Sequence, residues 1–169
     1  AFMMRILNEE YQLGMNNSEM KKRVSKLGAD CAFFIDPHPA YATGIGDIFS
    51  PITLSLKKWV LVLVKPQTSV STQEAYSQIV PQKTSVDLRE ALALPVEEWK
   101  TVVCNDFEKS AFSTHPEIEA IKETLYDMGA CFALMSGSGS TVFALFKNKQ
   151  GDLRKIFSDC FTFQSTLLK

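Results

Sequence analysis

The stretch Cys131-Phe132-Ala133-Leu134-Met135-Ser136-Gly137-Ser138-Gly139-Ser140-Thr141-Val142-Phe143-Ala144-Leu145-Phe146 constrains the fold more than any other part of the chain. Two apolar, β-prone runs flank a short block of small polar residues, which predicts strands over residues 131–135 and 141–146 joined through a glycine loop. Trp59-Val60-Leu61-Val62-Leu63-Val64 is continuous and rich in β-branched residues. It predicts a central strand buried on both faces and ended by Pro66. The clearest helix covers residues 116–128, with Thr114 as its cap, Pro116 near its first turn and Gly129 after its last. Ile118, Ile121, Leu125 and Met128 form its apolar stripe. A helix over residues 152–159 and a strand over 161–168 follow. The second half therefore reads as α+β, with helices packed on a mainly antiparallel sheet.

The first half is less regular. Phe2, Ile6 and Leu7 share a helical face that Gly14 would end, and Asn16-Asn17-Ser18 offers caps for a second helix through Lys26, terminated by Gly28. Residues 31–35 are apolar throughout and predict a buried strand. Residues 41–47 read as strand, turn, strand. Ser71-Thr72 would cap a helix containing Ala75, Tyr76 and Ile79. Pro81 and Pro95 bracket a variable stretch with a short helix around residues 88–92, and residues 97–109 read as helical, with Asn105-Asp106 blurring the end. Ala1-Phe2-Met3-Met4-Arg5-Ile6-Leu7 has the character of a helix middle, without cap or starting turn. An upstream part of the protein is therefore expected.

The chain of 169 residues suits one domain, or one domain and a piece of another, and 46% hydrophobic residues suffice for a core. Eighteen Lys+Arg against 19 Asp+Glu give a formal charge of −1, without the basic excess of a nucleic-acid-binding domain. Lys21-Lys22-Arg23 reads as a solvated helix face. Cys31, Cys104, Cys131 and Cys160 form no CxxC pair, and His38 and His115 stand in no metal-ligand spacing. Reduced core cysteines and a cytoplasmic protein are the expectation. No apolar run reaches spanning length, so no membrane role is expected.

Met135-Ser136-Gly137-Ser138-Gly139-Ser140 can bring backbone close to a ligand, because glycine lacks Cβ and tolerates positive φ. Its N–H groups and hydroxyls suit an anion-binding concavity, while a generous hairpin turn explains the same residues about as well. Asp30, between Gly28-Ala29 and an apolar run, is expected to be partly buried and to need a partner. It serves either as a cap for the next segment or as a carboxylate that orients an attacking hydroxyl. Residues 65–76 leave the central strand, where ligand sites are often built, or else form a solvated connection with a half-buried Tyr76. Gly44-Ile45-Gly46-Asp47 is explained by a tight turn, and His115 by capping or packing.

Five segments also stand in a familiar order. Leu27-Gly28-Ala29-Asp30-Cys31-Ala32-Phe33-Phe34 resembles L-G-A-D-V-P-F-F, and Ala42-Thr43-Gly44-Ile45-Gly46-Asp47 resembles A-x-G-x-G-E. Val64-Lys65-Pro66 through Val70-Ser71-Thr72-Gln73-Glu74-Ala75-Tyr76 resembles V-x-P…V-S-T-x-x-A-Y. Asn105-Asp106-Phe107-Glu108 and residues 135–143 resemble N-D-F/L-E and M-S-G-S-G-A/S-T-V-F. Together they resemble the 4-diphosphocytidyl-2-C-methyl-D-erythritol kinases of the GHMP kinase superfamily.

The resemblance implies a ferredoxin-like GHMP-kinase C-terminal domain over residues 51–169, preceded over residues 1–50 by the end of the N-terminal domain. It implies ATP-dependent transfer of phosphate to the tertiary 2-hydroxyl of a cytidyl-diphosphate sugar alcohol, in non-mevalonate isoprenoid (terpenoid) biosynthesis. Asp30 matches the catalytic aspartate; Ile45, Thr72 and Tyr76 match substrate-binding positions, Tyr76 stacking on the cytosine. Ser136, Gly137, Ser138 and Gly139 match the phosphate and substrate loop. Magnesium is expected with ATP, with no residue assigned as its ligand. Cys31-Ala32 and Asp47 depart from the family's Val-Pro and Glu. The family's N-terminal lysine and main ATP loop have no counterpart in these residues, so the chain alone is expected to be inactive. Other GHMP kinases, for sugars, homoserine or mevalonate, and a non-catalytic ferredoxin-like binding module are the alternatives.

Overall fold

A computed structural model of the protein describes residues 1–80 and 86–168. Pro81, one bracket of the variable stretch, lies outside the described residues. The chain forms two compact units, Ala1–Leu54 and Ser55–Lys169.

In the second unit, β3 (Val60–Lys65), β4 (Phe132–Met135), β5 (Val142–Phe146) and β6 (Phe161–Thr166) form an antiparallel sheet in the order β4-β5-β3-β6. Helices α3 (Thr72–Ser77), α4 (Leu88–Ala93), α5 (Trp99–Val102), α6 (Phe107–Thr114) and α7 (Pro116–Asp127) lie between β3 and β4 in the chain, and α8 (Leu153–Ile156) between β5 and β6. This strand–helix–strand–strand–helix–strand path, with β3 inside the sheet, is the ferredoxin-like arrangement.

The core lies on one face of that sheet. Val60, Val62 and Val64 pack with Val142, Ala144 and Phe146 of β5, Ala133 and Met135 of β4, and Ile118, Ile121 and Leu125 of α7. Leu61 and Leu63 point the other way and are half-buried. The expectation that β3 is buried on both faces is thus corrected: its helices cover one side, and successive residues alternate. The second face carries a smaller aromatic row, with Phe132 edge-on to Trp99 at 5.5 Å and to Phe143 at 5.9 Å.

Several helix boundaries differ from expectation for local reasons. Residues 97–109 are not one helix. A 3₁₀ turn (Val96–Glu98) and α5 end at Val103, which turns extended, and α6 starts only at Phe107. Asn105 causes the restart by accepting the Phe107 N–H at 3.0 Å, competing with a continuing helix. Thr114 does not cap α7; it closes α6, donating its hydroxyl to the Ser110 carbonyl at 3.1 Å. Position 115 then precedes Pro116 without a side-chain cap. Helix α8 stops at Ile156, three residues short of expectation, and α3 stops at Ser77, before Ile79.

In the first unit, α1 (Phe2–Glu10) precedes α2 (Asn17–Val24), a 3₁₀ turn (Ala29–Ile35), and a hairpin of β1 (Ala40–Thr43) and β2 (Ile48–Pro51). A capping box starts α2: Asn16 Oδ1 accepts the Glu19 N–H at 3.0 Å, and the Glu19 carboxylate accepts the Asn16 N–H at 2.9 Å. The helix ends at Val24 rather than Lys26. Residues 31–35 are not a strand. Ala32 and Ile35, three apart, meet Met20 and Val24 of α2 in a small core, a spacing that a 3₁₀ turn supplies. An apolar run this short does not by itself distinguish strand from helix. Among the described residues, no helix is long and apolar enough to cross a membrane.

Candidate functional site

The glycine loop hangs from β4, an edge strand whose outward backbone groups are paired by side chains instead of another strand. Tyr126 Oη accepts the Ala133 N–H and donates to the Ala133 carbonyl, both at 3.1 Å. Burial pushes the Tyr126 phenol above its ordinary pKa, the Ala133 backbone opposing. Two residues on, Met135 donates its N–H to Glu108 Oε1 at 2.9 Å, and its carbonyl accepts from Asn105 Nδ2 at 2.8 Å. Glu108 is only 8% exposed, and its second oxygen accepts from Lys122 Nζ at 2.6 Å. Burying a carboxylate without such partners is costly.

Beyond Met135 the loop is pinned at several points. Ser136 donates its N–H to the Thr141 carbonyl at 2.8 Å, and Gly139 donates to the Ser136 carbonyl at 3.0 Å. Asn105 Nδ2 also reaches the Gly137 carbonyl at 2.8 Å. Ser140, 2% exposed, donates its hydroxyl to the Thr68 carbonyl at 2.5 Å. Gly139 has φ +96°, and a Cβ there would lie 2.8 Å from Met135 Sδ and 3.4 Å from Val70 Cγ2. Both conformation and space therefore demand glycine. The N–H groups of Gly137 and Ser138 bond no backbone or side-chain acceptor among the described residues. They remain available to an anion.

Thr72 and Tyr76 lie on α3, beside this loop. Thr72 Oγ1 is 3.3 Å from Ser138 Oγ. The Tyr76 ring is 65% exposed rather than half-buried, and stands edge-on to Phe107 at 4.9 Å. Of the expected site residues, the structure thus brings Thr72 to Ser138, and links Tyr76 to the loop through Phe107 and Asn105. The approach to α3 is tied down by Thr68, whose hydroxyl donates to Glu117 Oε1 at 2.5 Å. That bond holds the Glu117 carboxyl below its ordinary range.

Asp30 and Ile45 belong to the first unit. Asp30 stands in the 3₁₀ turn and is exposed, with no hydrogen bond or ion pair to another described residue. The expectation of a partly buried, partnered carboxylate is corrected: water solvates it, so no partner is required. A Cβ on Gly46 would lie 3.5 Å from Asp30 Oδ1, which places the β1–β2 turn beside this carboxylate. Gly44 and Gly46 have φ of +69° and +93° in that turn, and Ile45 between them is 80% exposed.

Among the described residues, no group of three or more His, Cys, Asp or Glu is placed to hold a metal ion. All four cysteines are free; burial raises the Cys131 and Cys160 thiols, whereas Cys104 is exposed rather than a core residue.

Sequence reasoning placed Asn105 and Glu108 in the N-D-F/L-E resemblance without giving either a role, and did not single out Tyr126. The available signal was an Asn two residues before Phe107, the spacing of an Asx turn, in which the side-chain oxygen accepts an N–H two residues on. Nothing in the sequence marked Glu108 as buried, because its partner Lys122 lies on a different helix.

The family model described as GHMP kinases C terminal matches residues 88–158. The 4-diphosphocytidyl-2-C-methyl-D-erythritol kinase of Bacteroides fragilis (strain ATCC 25285) is 49% identical over 167 residues, covering 99% of this chain and 61% of that protein. The kinase of the same name from Parabacteroides distasonis is 48% identical over 168 residues, covering 99% and 62%. A crystal structure of 4-(cytidine 5'-diphospho)-2C-methyl-D-erythritol kinase superposes with a TM-score of 0.72 at 25% identity, covering 94% of this chain and 60% of that one. The chain thus spans about three fifths of the length of the relatives it matches. Residues 88–158 of the second unit thus match the GHMP kinase C-terminal family, and nearly the whole chain is similar to part of the kinases named above.

Proposed function

We propose that the complete gene product containing this chain phosphorylates the 2-hydroxyl of 4-diphosphocytidyl-2-C-methyl-D-erythritol with ATP, in non-mevalonate isoprenoid biosynthesis in the cytoplasm. The observation that carries this reading is the 49% identity, over 99% of the chain, to a kinase of that name. The chemistry of the residues agrees with it. Tyr76 offers an exposed ring, braced on one edge, for a cytosine to stack on. Thr72 supplies a hydroxyl beside it, and Ile45 an exposed apolar side chain for the substrate. The Gly137 and Ser138 N–H groups, with the Ser136 and Ser138 hydroxyls, stabilise negative charge on phosphate without reorganising. Asp30, an unpaired carboxylate, takes or orients the proton of the attacking hydroxyl. Residues 1–50 are read as the end of the N-terminal domain of such a kinase and residues 51–169 as its C-terminal domain. Magnesium would accompany the nucleotide, bound mainly through phosphate oxygens.

The test is a coupled assay of the complete gene product with ATP and three acceptors in turn: the cytidyl-diphosphate sugar alcohol, homoserine and mevalonate. Turnover of the first alone is expected. Preference for either of the others would overturn the reading.

A further inference from the structure

We infer that Asn105 is the positioning residue of the glycine loop, aiming the Ser138 N–H and setting the spacing between that donor and the Tyr76 ring. The inference rests on the reading of this site as one for a ligand that joins an aromatic base to an anionic group.

One side chain ties the start of α6 to the glycine loop and to the loop's root at the end of β4. Both hydrogens of the Asn105 amide are used, on the Met135 and Gly137 carbonyls at 2.8 Å each, and its oxygen accepts the Phe107 N–H at 3.0 Å. The bond to Gly137 matters most. A trans peptide is planar, with its C=O and N–H pointing in opposite directions. Drawing the Gly137 carbonyl toward Asn105 therefore turns the Ser138 N–H away from it. That N–H has no protein acceptor among the described residues, so its direction is fixed while its capacity is unspent. The bond to Met135 holds the root of the loop against Glu108 and α6.

At its other end Asn105 starts α6 and so places Phe107, against whose ring Tyr76 stands at 4.9 Å. The donor for an anion and the platform for a base are thus referenced to the same amide. A carboxylate at this position is isosteric but presents only acceptors to two carbonyl oxygens, which would turn the Gly137 carbonyl, and the Ser138 N–H with it, away from the present direction. Alanine would leave both carbonyls without their donor.

The experiment compares wild type with N105A and N105D in the complete gene product, by steady-state kinetics across pH, calorimetry with cytidine 5'-diphosphate, and thermal melting. For both variants kcat is expected to fall by about tenfold or more, in the range of losing an aligned donor to developing charge. Affinity for cytidine 5'-diphosphate should fall about tenfold. The N105D deficit relative to wild type should shrink as pH drops below about 6, because a protonated carboxyl can donate to one of the two carbonyls. The N105A deficit should not change with pH. A purely structural role would lower the melting temperature without this difference between the variants.

Two outcomes are distinguishable. If wild type does not bind cytidine 5'-diphosphate, the reading of the site falls and the inference with it. If wild type binds and both variants match its kcat and affinity, the inference alone is overturned. Should neither variant fold, nuclear magnetic resonance on the wild type decides. Cytidine 5'-diphosphate should then shift the Ser138 amide while the Asn105 side-chain protons stay protected from exchange. Rapid exchange of those protons would overturn the inference.

Discussion

The glycine loop and Asp30 are the two chemically suggestive parts of the molecule, and they are held in opposite ways. The loop is bracketed by Asn105, Glu108, Ser140 and Gly139, each in a defined contact, above a core that runs from Val62 and Val64 to Leu125 and Phe146. Asp30 sits on a 3₁₀ turn whose core is Met20, Val24, Ala32 and Ile35, with no bond to its carboxylate from the described residues. Helix α1 of the same unit buries no residue at all. Preorganisation therefore differs within one chain. The glycine loop carries its own scaffold, whereas Asp30 stands on a thinner one. A donor array gains from rigidity, since its value lies in requiring no rearrangement as charge develops. A carboxylate that takes up a proton gains from access to its acceptor and to solvent.

The largest expected effect separates the two cores. Leu125, fully buried, should cost about 3 kcal/mol when cut to alanine, in the usual range for a large-to-small change in a packed core. In the 169-residue chain, Phe2, 73% exposed, should change stability by no more than about 0.5 kcal/mol when cut likewise. Native-state hydrogen exchange reads both, with β5 amides reporting the second unit and α1 amides the first. Comparable losses at Phe2 and Leu125 would break the contrast, because α1 would then have a covered face.

A second comparison sets carboxylate against carboxylate. Glu108→Gln keeps the shape but leaves Lys122 without its anion and weakens the bond to the Met135 N–H; about 2 kcal/mol should be lost in denaturant unfolding. Asp30→Asn should leave stability within about 0.5 kcal/mol of wild type while abolishing turnover of the complete gene product, the outcome that the proposed proton acceptor requires. An Asp30→Asn variant that unfolds as readily as Glu108→Gln would show that Asp30 is structural.

The same difference explains what was legible in the sequence. Long patterned segments carried their own evidence: β3, β5 and α7 arise from period and composition, because each buries a face against the same core. Residues 31–35 did not, since five apolar residues satisfy a strand or a 3₁₀ turn equally, and only α2 decides between them. The glycine loop could be read from its residue types, as Gly139 must be glycine there. What holds the loop could not. Asn105, Glu108 and Tyr126 act across 30, 27 and 7 residues of sequence respectively, by hydrogen bonds to backbone, and leave no periodic trace. Asp30 was misjudged in the reverse sense: its apolar neighbours suggested burial, but a 3₁₀ turn directs successive side chains to different sides, and this one meets water.

The smallest expected effect tests how far the loop's scaffold extends along the approach to α3. The Thr68 hydroxyl is the main reason that the Glu117 carboxyl titrates below its ordinary value near 4.5. Such a depressed group contributes stability that is present above its unfolded value and is lost as pH falls through its folded one. Thr68→Val removes the donor and keeps the shape, so the Glu117 titration followed by nuclear magnetic resonance should move up toward the ordinary range. The acid-side loss of stability should lessen with it, slightly, because the group is exposed and screened. Thr68 also gives its carbonyl to Ser140, a bond that valine retains. The loop amides should therefore hold their chemical shifts while Glu117 changes. Movement of the Ser138 and Gly139 amides in step with Glu117 would mean that the loop is positioned from α7 as well as from Asn105.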